Sequence, residues 1–397
     1  MTQRTRQGTA ALGAVLLGAA SGCAATDEPA AAPPPPSSQH PPPSAAGGAT
    51  QESDFTLVAS GDVLPHDSVI RQAKADADGD GYDFRPMLAG VRPVVREADL
   101  AICHMETVYG EKGDYTGYPA FKSPPQIAKG LAATGYDSCS TASNHTLDDG
   151  ADGIRRTLDA LDTAGIRHAG SARSPAEART PAWLKAGGAK VAQLAYTYGT
   201  NDYPLPEGQP WAVSLIDEKK IVADARAARK AGADVVVVSV HWGTEWQTEP
   251  DERQLGLARK LTASTTAGRP DIDLIIGTHA HVPQAYEKVN GTWVVYGMGD
   301  QIAGPMTNYE RVRDPRGNQG SIGRFTFAPP VKPGERWAVK KAEFIPQWMD
   351  TDRGRLVNLP DALTRGTDRD EYHEAQSAIR TAVLGRGAAK DGLTMGR

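Results

Sequence analysis

Several short apolar runs of the sequence end in residues that can bind a metal ion or transfer a proton. Imidazole and carboxylate groups are typical protein ligands of Zn, Mn and Fe, and about three or four protein groups hold one ion. If these runs end together at one edge of a sheet, they bring enough ligands for two ions that share a carboxylate. The candidate residues are Asp62, His104, Glu106, Asn144, His145, His241, His279, His281 and Asp300.

The nine histidines are distributed unevenly along the chain. Five of them follow apolar runs and a sixth, His66, lies just past the first run, which leaves only His40, His168 and His373 elsewhere. Two metal ions about 3.5–4 Å apart can activate water and hold both oxygens of an in-line displacement at phosphorus. The clustering therefore favours metal-assisted hydrolysis, and we expect two divalent ions, either Mn, Fe or Zn.

Each candidate has a simpler interpretation when it is taken alone. A single histidine such as His241 can cap a sheet, and Asn144 can belong to a turn or a helix cap. Asp62 follows a glycine and can be a helix N-cap, and Asp300 can be a turn residue. His66 can reach the site, but we expect it in a surface loop.

The His-Ala-His sequence at 279–281 is more specific. Residues i and i+2 of a strand point to the same side, so both rings are predicted to face one site. Four further residues are candidates for the wall of a substrate cleft, with the core as the alternative for the tryptophans: Lys122, Trp242, Glu245 and Trp246.

The runs that carry these residues alternate with helical patterns, which predicts an α/β architecture. The sequence VVVVSV at 235–240 has no polar alternation and predicts a strand buried on both faces. We predict strands at 55–60, 100–103, 136–141, 191–196, 234–241, 274–278 and 292–296. We predict helices at 124–134, 150–164, 217–231 and 251–267, each followed by a glycine that can end it.

The pattern changes after Gly299. Residues 321–327 and 337–345 are predicted to form antiparallel strands, and 368–384 an amphipathic helix. We expect residues 306–384 to complete the domain that spans 54–305. The tail at 385–397 is small and charged, and it is predicted to be disordered.

The N-terminus has the features of an export signal. Arg4 and Arg6 precede an apolar segment that is too short to span a membrane, and Ala-Ser-Gly-Cys at 20–23 is similar to a bacterial lipobox. We predict a signal peptide at 1–22, lipidation of Cys23 and an anchored protein on the extracytoplasmic face of the bacterial cell membrane. The alternative is a plain signal peptide and secretion.

Residues 23–53 are predicted to form a disordered tether rich in proline and alanine. Eight of the 15 residues from Pro29 to Pro43 are proline, and such a segment buries too little apolar surface to fold. A tether of this kind is partly extended and holds an enzyme away from the membrane surface.

Composition excludes some classes of protein. The 397 residues carry a formal net charge of −5, which argues against a nucleic-acid-binding surface. Three cysteines exclude a disulfide-rich scaffold and a four-cysteine zinc module. Cys103 and Cys139 lie near the ends of two strands that can be neighbours, where they can form a disulfide or remain buried thiols.

The motifs together resemble the CapA family of poly-γ-glutamate capsule biosynthesis proteins, which are similar to the calcineurin-like metallophosphoesterases. The resemblance covers residues from about 54 to 305. Its motifs are GDV at 61–63, ME at 105–106, SNHTLDDG at 143–150, VHWG at 240–243, GTHAHVPQ at 277–284 and GMGD at 297–300.

The resemblance implies a four-layer αββα sandwich with a two-metal site. Asp62 matches the metal-binding aspartate of the first strand, and Glu106 the acidic residue that bridges the metals. His145 matches the histidine that protonates the leaving oxygen in the phosphoesterases. The remaining implied ligands are Asn144, His241, His279 and His281.

Two positions depart from the expected pattern. The phosphoesterase motif has histidine two residues after the first aspartate, where this chain has Leu64. The family's asparagine before the acidic residue is replaced by His104, which can bind a metal or substrate, or can be a satisfied polar residue against a helix.

Two functions follow from these observations. The first is a metal-dependent hydrolase of the cell envelope that cleaves a phosphoester or a poly-γ-glutamate-type polymer and is linked to polymer synthesis or export. The second is a non-catalytic lipoprotein that binds or guides an anionic polymer during export.

Overall fold

The computed structural model describes residues 52–332, 335–367 and 369–397. The predicted signal peptide, the predicted lipidation site Cys23 and the predicted tether up to residue 51 lie outside the described residues. Within the described ranges, no helix is both long enough and apolar enough to cross a membrane.

Strands of two main sheets carry most of the predicted apolar runs. The strands are β1 (Phe55–Val63), β2 (Leu100–Met105), β3 (Val108–Tyr109), β4 (Lys122–Ser123), β5 (Ser138–Ser140), β6 (Arg167–Ala169), β7 (Ala182–Ala186), β8 (Ala189–Thr197), β9 (Val235–His241), β10 (Thr265–Thr266), β11 (Arg269–Pro270), β12 (Leu274–Thr278), β13 (Tyr286–Val289), β14 (Thr292–Val295), β15 (Asp300–Ile302), β16 (Gln319–Ala328), β17 (Ala338–Asp350), β18 (Arg355–Asn358) and β19 (Leu393–Met395).

The helices lie mainly between the strands in sequence. They are α1 (Asp67–Ala75), α2 (Arg85–Leu88), α3 (Arg92–Arg96), α4 (Gln126–Thr134), α5 (Gly150–Ala164), α6 (Glu218–Lys230), α7 (Glu252–Ala263), α8 (Leu359–Thr364) and α9 (Asp370–Leu384). Short 3-10 helices occupy Glu177–Arg179, Pro315–Asn318 and Ala388–Asp391.

The larger sheet has the strand order β18-β17-β16-β1-β2-β5-β6, with β15 paired to β1 and β19 paired to β17. The smaller sheet has the order β13-β14-β12-β9-β8-β7. Strands β1, β2, β5 and β6 are parallel to one another, as are β8, β9, β12 and β14. The carboxyl ends of the parallel strands within each sheet therefore lie at a common edge, where the candidate residues were expected.

Three apolar layers explain the packing. One side of the larger sheet packs against α1 to α5, and the other side faces the smaller sheet. The outer side of the smaller sheet packs against α6 and α7. Val235 and Val237 face the inter-sheet layer, whereas Val236 and Val238 face the helices, so β9 is buried on both faces as predicted. The described fold is an α/β sandwich in which α1 to α7 lie outside the two sheets, whereas α8 and α9 pack into the inter-sheet apolar cluster.

Helix α7 shows how local sequence sets a boundary. Asp251 and Gln254 form a reciprocal capping box at its start. The helix ends at Ala263, earlier than the predicted 267, because Thr265–Thr266 pairs with Arg269–Pro270 in a short hairpin. β-branched threonines favour this extended pairing over a further helical turn.

The prediction of a disordered tail at 385–397 is wrong. The tail contains the short 3-10 helix and β19, which pairs in parallel with β17 through Leu393 and Ala342. Leu393 is 3% exposed and joins the inter-sheet core. One buried leucine and backbone pairing order a segment whose composition alone indicated disorder.

Candidate metal centre

Asp62 lies at the centre of the site, near the end of β1. It is register partner to His104 on β2 and to Asp300 on β15, and it is fully buried. The preceding Gly61 allows this approach, because a Cβ there would lie 1.8 Å from the carbonyl oxygen of Gly299. Asp62 Oδ2 accepts a hydrogen bond from the backbone N–H of His279 at 3.0 Å, which ties the two sheets together.

Strand β2 supplies His104, and Glu106 follows at its end. His104 Nδ1 lies 2.7 Å from Ser140 Oγ, and its Nε2 lies 3.6 Å from Asp62 Oδ1. Glu106 is 1% exposed and its Oε1 lies 3.8 Å from His241 Nε2. The strand continues to Met105, two residues beyond the prediction, so His104 is held by sheet pairing.

The loop between β5 and α5 carries Asn144 and His145. Asn144 Oδ1 lies 2.8 Å from His241 Nε2, and its amide group donates to Asn201 Oδ1 at 3.1 Å. His145 Nδ1 lies 2.6 Å from Asp148 Oδ2. Since Asp148 Oδ2 also accepts the backbone N–H of Phe121 at 2.7 Å, the orientation of the carboxyl group that holds His145 is itself fixed.

The smaller sheet contributes three imidazoles. The His241 ring centroid lies 4.7 Å from that of His279, and the His279 centroid lies 6.0 Å from that of His281. His281 Nδ1 is bound to Asp300 Oδ1 at 2.8 Å. A carboxylate on the far nitrogen orients a histidine toward a metal on the other nitrogen.

The predicted reason for the convergence of His279 and His281 is wrong, although both reach the site. Strand β12 ends at Thr278, and the two histidines have left-handed backbone φ values of 92° and 58°. These conformations are strained for residues other than glycine and are concentrated at functional sites. A turn, and not strand alternation, brings the two rings to the site.

Several buried atoms of the site have no hydrogen-bond partner among the described residues. They are Asp62 Oδ1, His104 Nε2, both carboxyl oxygens of Glu106, His279 Nδ1 and Asp300 Oδ2. Three sets have ligand atoms within 4.8 Å of one another: Asp62 with His104 and His241, Asp62 with Glu106 and His281, and Glu245 with His279 and His281. Because these are N and O donors without partners, the residues fit divalent metal ions.

Burial shifts the pKa values of the carboxyl groups upward. It raises the pKa of Asp62 to about 8, and the neighbouring Asp300 adds to the shift. It raises the pKa of Asp300 to about 6, although His281 opposes the shift. The pKa of Glu106 also rises well above its ordinary value through burial and the Asp62 charge.

Burial favours the neutral form of the histidines and so acts to lower their pKa values. Burial lowers the pKa of His104 to about 3, and it lowers the pKa of His241 and of His279 well below the ordinary value, with neighbouring imidazoles adding to the effect. Burial also acts against charge on His281, but Asp300 and Glu106 outweigh it and raise its pKa well above the ordinary value. A divalent cation would take over the role of the protons on these carboxyl groups.

Sequence reasoning missed the roles of three residues. The sequence analysis allowed Asp300 to be a turn residue, but Asp300 lies in β15 and its carboxylate holds His281. Glu245 was considered only as a cleft residue, yet it belongs to one of the three ligand sets and its Oε2 accepts a hydrogen bond from Tyr309 at 3.0 Å. The Tyr198 ring contacts His279 in a tilted arrangement, with ring centroids 4.5 Å apart and an interplanar angle of 40°. The HWGTEW and GMGD motifs were the signals for the two carboxylates.

Other candidates lie outside the set of ligands. Trp242 is 3% exposed and its Nε1 donates to the carbonyl of Tyr296 at 2.8 Å, so it belongs to the core. Trp246 packs beside the apolar cluster of Leu64, Phe121, Ala303 and Met306. The Lys122 ammonium pairs with Asp114.

His66 and the two cysteines also have defined places. His66 is half-buried rather than exposed, and its ring meets the edge of Phe121 at a centroid distance of 5.1 Å. Phe121 also contacts His145, at 4.8 Å. Cys103 and Cys139 are register partners on β2 and β5 and form a disulfide on the helix side of the larger sheet.

Fold and site together define an α/β sandwich with a carboxylate- and histidine-rich centre between the two sheets. The family model for the bacterial capsule synthesis protein PGA_cap matches residues 56–305. The chain belongs to this family, which confirms the resemblance drawn from the motifs.

Two curated relatives are both named CapA. The chain is 28% identical over 261 residues to the capsule biosynthesis protein CapA of Bacillus anthracis, covering 64% of this chain and 60% of that protein. It is 27% identical over 217 residues to the PGA biosynthesis protein CapA of Bacillus subtilis, covering 53% and 55%. The match thus spans somewhat more than half the length of these relatives.

Among solved structures, the chain is similar to the calcineurin-like phosphoesterase YfkN from Bacillus subtilis. The two share 16% sequence identity with a TM-score of 0.46, over 83% of this chain and 99% of that chain.

Proposed function

We propose that this protein is a metal-dependent hydrolase of the bacterial cell envelope that acts in the synthesis or export of a capsule-type polymer. Its substrate is a phosphoester or a poly-γ-glutamate-type polymer. The observation that carries the proposal is the convergence of buried N and O atoms without partners around Asp62. A purely structural buried cluster would satisfy such atoms, because each unmade hydrogen bond costs about 1–3 kcal/mol.

The residues divide into ligands and a proton donor. Asp62, Glu106, Asn144, His241, His279 and His281 would hold the ions. When bound, divalent ions supply positive charge that stabilises an anionic transition state and makes water more acidic. With Asp148 as a carboxylate, Nδ1 of His145 carries a proton and donates to it, so Nε2 is the nitrogen that faces substrate.

His145 acts as the general acid in this proposal. As water adds to phosphorus or to the amide carbonyl, it releases a proton to solvent, the bond to the leaving oxygen or nitrogen breaks, and the leaving atom takes the proton from Nε2. Asp148 holds the ring in place and stabilises its protonated form before transfer. Asn144, the neighbouring residue, reaches across to His241 and so links the acid to the ligand set.

Location and partners rest on the sequence and on the family. The lipobox-like sequence at 20–23 supports an anchor through Cys23 on the extracytoplasmic face, with secretion as the alternative. The family description and the names of the CapA relatives support an anionic polymer as substrate and a synthesis or export complex as partner. No nucleic-acid partner is proposed.

One observation favours a non-catalytic alternative. Leu64 occupies the position where the phosphoesterase pattern has histidine, and its side chain lies in an apolar cluster. A site short of one ligand could bind the carboxylates of a polymer through a metal ion without cleaving it.

Elemental analysis followed by activity assays separates the two functions. The purified protein, loaded with Mn, Fe or Zn, would be tested on bis(p-nitrophenyl) phosphate and on γ-linked glutamate oligomers. We expect metal-dependent turnover, and we expect His145→Gln to lower kcat by about 10²–10⁴-fold with unchanged metal content. His168→Gln, on β6, is the matched control. Stoichiometric metal and polymer binding without any turnover would overturn the hydrolase in favour of the alternative.

A further inference from the structure

His104 differs from the residue that the family pattern has at its position, and its surroundings are those of a ligand. It lies on β2 opposite Asp62 on β1 and is 1% exposed. Its ring stacks on that of His241 at a centroid distance of 4.7 Å and an interplanar angle of 26°. The imidazole is therefore held by two sheets and not by a surface loop.

The outer nitrogen of this ring faces a carboxylate oxygen without bonding to it. His104 Nε2 and Asp62 Oδ1 are 3.6 Å apart, beyond hydrogen-bond distance, and neither has another hydrogen-bond partner within the described part of the chain. A satisfied core histidine uses both nitrogens. A nitrogen and a carboxylate oxygen that are both buried at this separation instead leave room for a cation that binds to both atoms.

The inner nitrogen is fixed in the manner of a metal-binding histidine. His104 Nδ1 lies 2.7 Å from Ser140 Oγ, and the Ser140 hydroxyl can donate to the carbonyl of Cys103 at 3.4 Å. With the hydroxyl proton so used, the serine oxygen accepts from Nδ1–H. The lone pair of the ring is then on Nε2, on the side of Asp62.

Leu64 explains why such a ligand is needed. It follows Asp62 by two residues, is 2% exposed and packs with Phe121, Ala303 and Met306. Leucine offers no donor atom, so the aspartate lacks the imidazole neighbour that the phosphoesterase pattern places at this position.

We propose that His104 Nε2 is a metal ligand that replaces the imidazole missing at position 64. The ion would be shared with Asp62 and His241, whose ligand atoms lie within 4.8 Å of those of His104. Since imidazole suits Zn²⁺ better than Mn²⁺, the replacement also biases the site toward Zn²⁺. The inference rests on the metal centre of the proposed function but does not require hydrolysis.

Metal affinity tests the inference independently of turnover. Full-length wild type would be compared with His104→Asn, which introduces the family's residue, and with His168→Asn as control. His168 is a buried imidazole, 3.3 Å from Asp162 and outside the site. Competition with a chromophoric chelator gives the Kd for Zn²⁺ and for Mn²⁺, and Co²⁺ absorption spectra report the ligand set.

We expect His104→Asn to weaken Zn²⁺ binding at least about tenfold, to weaken Mn²⁺ binding less and to change the Co²⁺ spectrum, whereas His168→Asn leaves all three unchanged. Adding Leu64→His to His104→Asn should recover part of the lost Zn²⁺ affinity. No recovery would overturn the link to position 64.

Wild-type affinities and spectrum in His104→Asn would overturn the role of His104. If His104→Asn does not fold, as judged by thermal unfolding, Ser140→Ala decides, because it frees Nδ1 without removing the ring. An unchanged Zn²⁺ Kd and Co²⁺ spectrum in Ser140→Ala would then overturn the inference. A wild type that binds no metal would instead refute the proposed function.

Discussion

The two ends of strand β12 both carry buried ionisable groups, but their hydrogen bonding differs. Before the strand, Asp273 pairs with Arg229 and accepts a hydrogen bond from the backbone N–H of Val236 at 2.6 Å. Arg229 also donates to the carbonyl of Asp234 at 2.7 Å. After the strand, His279 has a ring nitrogen without a partner among the described residues and lies beside similarly unsatisfied carboxylates.

The difference teaches which buried charges serve the fold and which serve a ligand. At the amino end, burial raises the pKa of Asp273, but the ion pair with Arg229 and the backbone hydrogen bond from Val236 offset part of that cost. Each of these groups therefore has its hydrogen-bond partners within the protein. At the carboxyl end, burial raises the pKa values of the carboxyl groups and lowers those of His241 and His279. His281 is the exception, because Asp300 and Glu106 raise its pKa. A bound cation is the partner that would make the second cluster as complete as the first.

Asp62→Asn should have the largest effect, and it acts on the unsatisfied cluster at the carboxyl end of β12. We expect metal-dependent turnover and stoichiometric metal to fall below detection, because this carboxylate belongs to two of the three ligand sets. The melting temperature of the chelator-treated protein should be unchanged or raised, since an uncompensated buried acid is removed. Elemental analysis and thermal unfolding check both parts, and retained metal at full stoichiometry would contradict the assignment.

Arg229→Met should instead remove the ion pair with Asp273 at the amino end of β12. Asp273 would be left as a buried carboxylate without its counter-charge, at a cost of about 3–5 kcal/mol in the free energy of unfolding. Metal content per folded molecule should stay at the wild-type level. Denaturant unfolding measures the loss, and adding Asp273→Asn should recover part of it. A loss below about 1 kcal/mol would show that the pair does not stabilise the fold.

Asp300→Asn tests whether a carboxylate outside the ligand sets tunes the site. The amide keeps the shape but removes the charge that orients His281, so metal affinity should fall by about 10–100-fold with the fold intact. Asp152→Asn, at an exposed position on α5, is the control and should bind metal normally. Equal dissociation constants for the two variants would argue against the orienting role.

The pH dependence of metal binding should show a smaller effect, which comes from the raised pKa of Asp62 at the carboxyl end of β12. The pKa of Asp62 is raised to about 8 in the metal-free protein, so below that pH an incoming cation must displace a proton. Affinity should therefore rise from pH 6 to pH 8, by up to about tenfold per pH unit for each proton displaced. Titration calorimetry in two buffers of different ionisation enthalpy counts the protons, and a flat profile would refute the shift.

The raised pKa of Asp62 also affects the stability of the metal-free protein, which should fall with rising pH where metal affinity increases. A raised folded-state pKa means that Asp62 favours the metal-free fold below the ordinary value of 3.8, and this contribution is lost as pH rises to about 8. Stabilisation by added metal should accordingly be larger at pH 8 than at pH 6.

Sequence reasoning predicted much of the fold because its signals are local. Helix α5 has the predicted bounds, and β9 has the predicted burial on both faces, since apolar periodicity and a following glycine act over a few residues. The tail that forms β19 was mispredicted because its order depends on β17, about fifty residues earlier in the chain. Strand β7, which the sequence analysis did not identify, is likewise held by pairing with β8.

The candidate site was predicted as a set of residues, but its contacts were not. That Asp62, Glu106, Asn144, His145 and the three histidines of the smaller sheet belong together follows from their positions after apolar runs. The turn that folds back His279 and His281 has no such signal, because it depends on the hydrogen bond between Asp62 and the backbone of His279 across two sheets. The pairing of Asp300 with His281 is set in the same way.

By itself, the sequence determined the family, the alternation of strands and helices, and the residue types gathered for metal chemistry, because motif spacing and apolar periodicity are properties of the chain. Only the tertiary structure decided which nitrogen or oxygen of each side chain has a partner and which does not. Those relations depend on distances between strands that are far apart in sequence, as for Asp62 and Asp300, which are 238 residues apart. The local sequence around either residue does not determine that distance, because the distance is set by the pairing of strands remote in sequence.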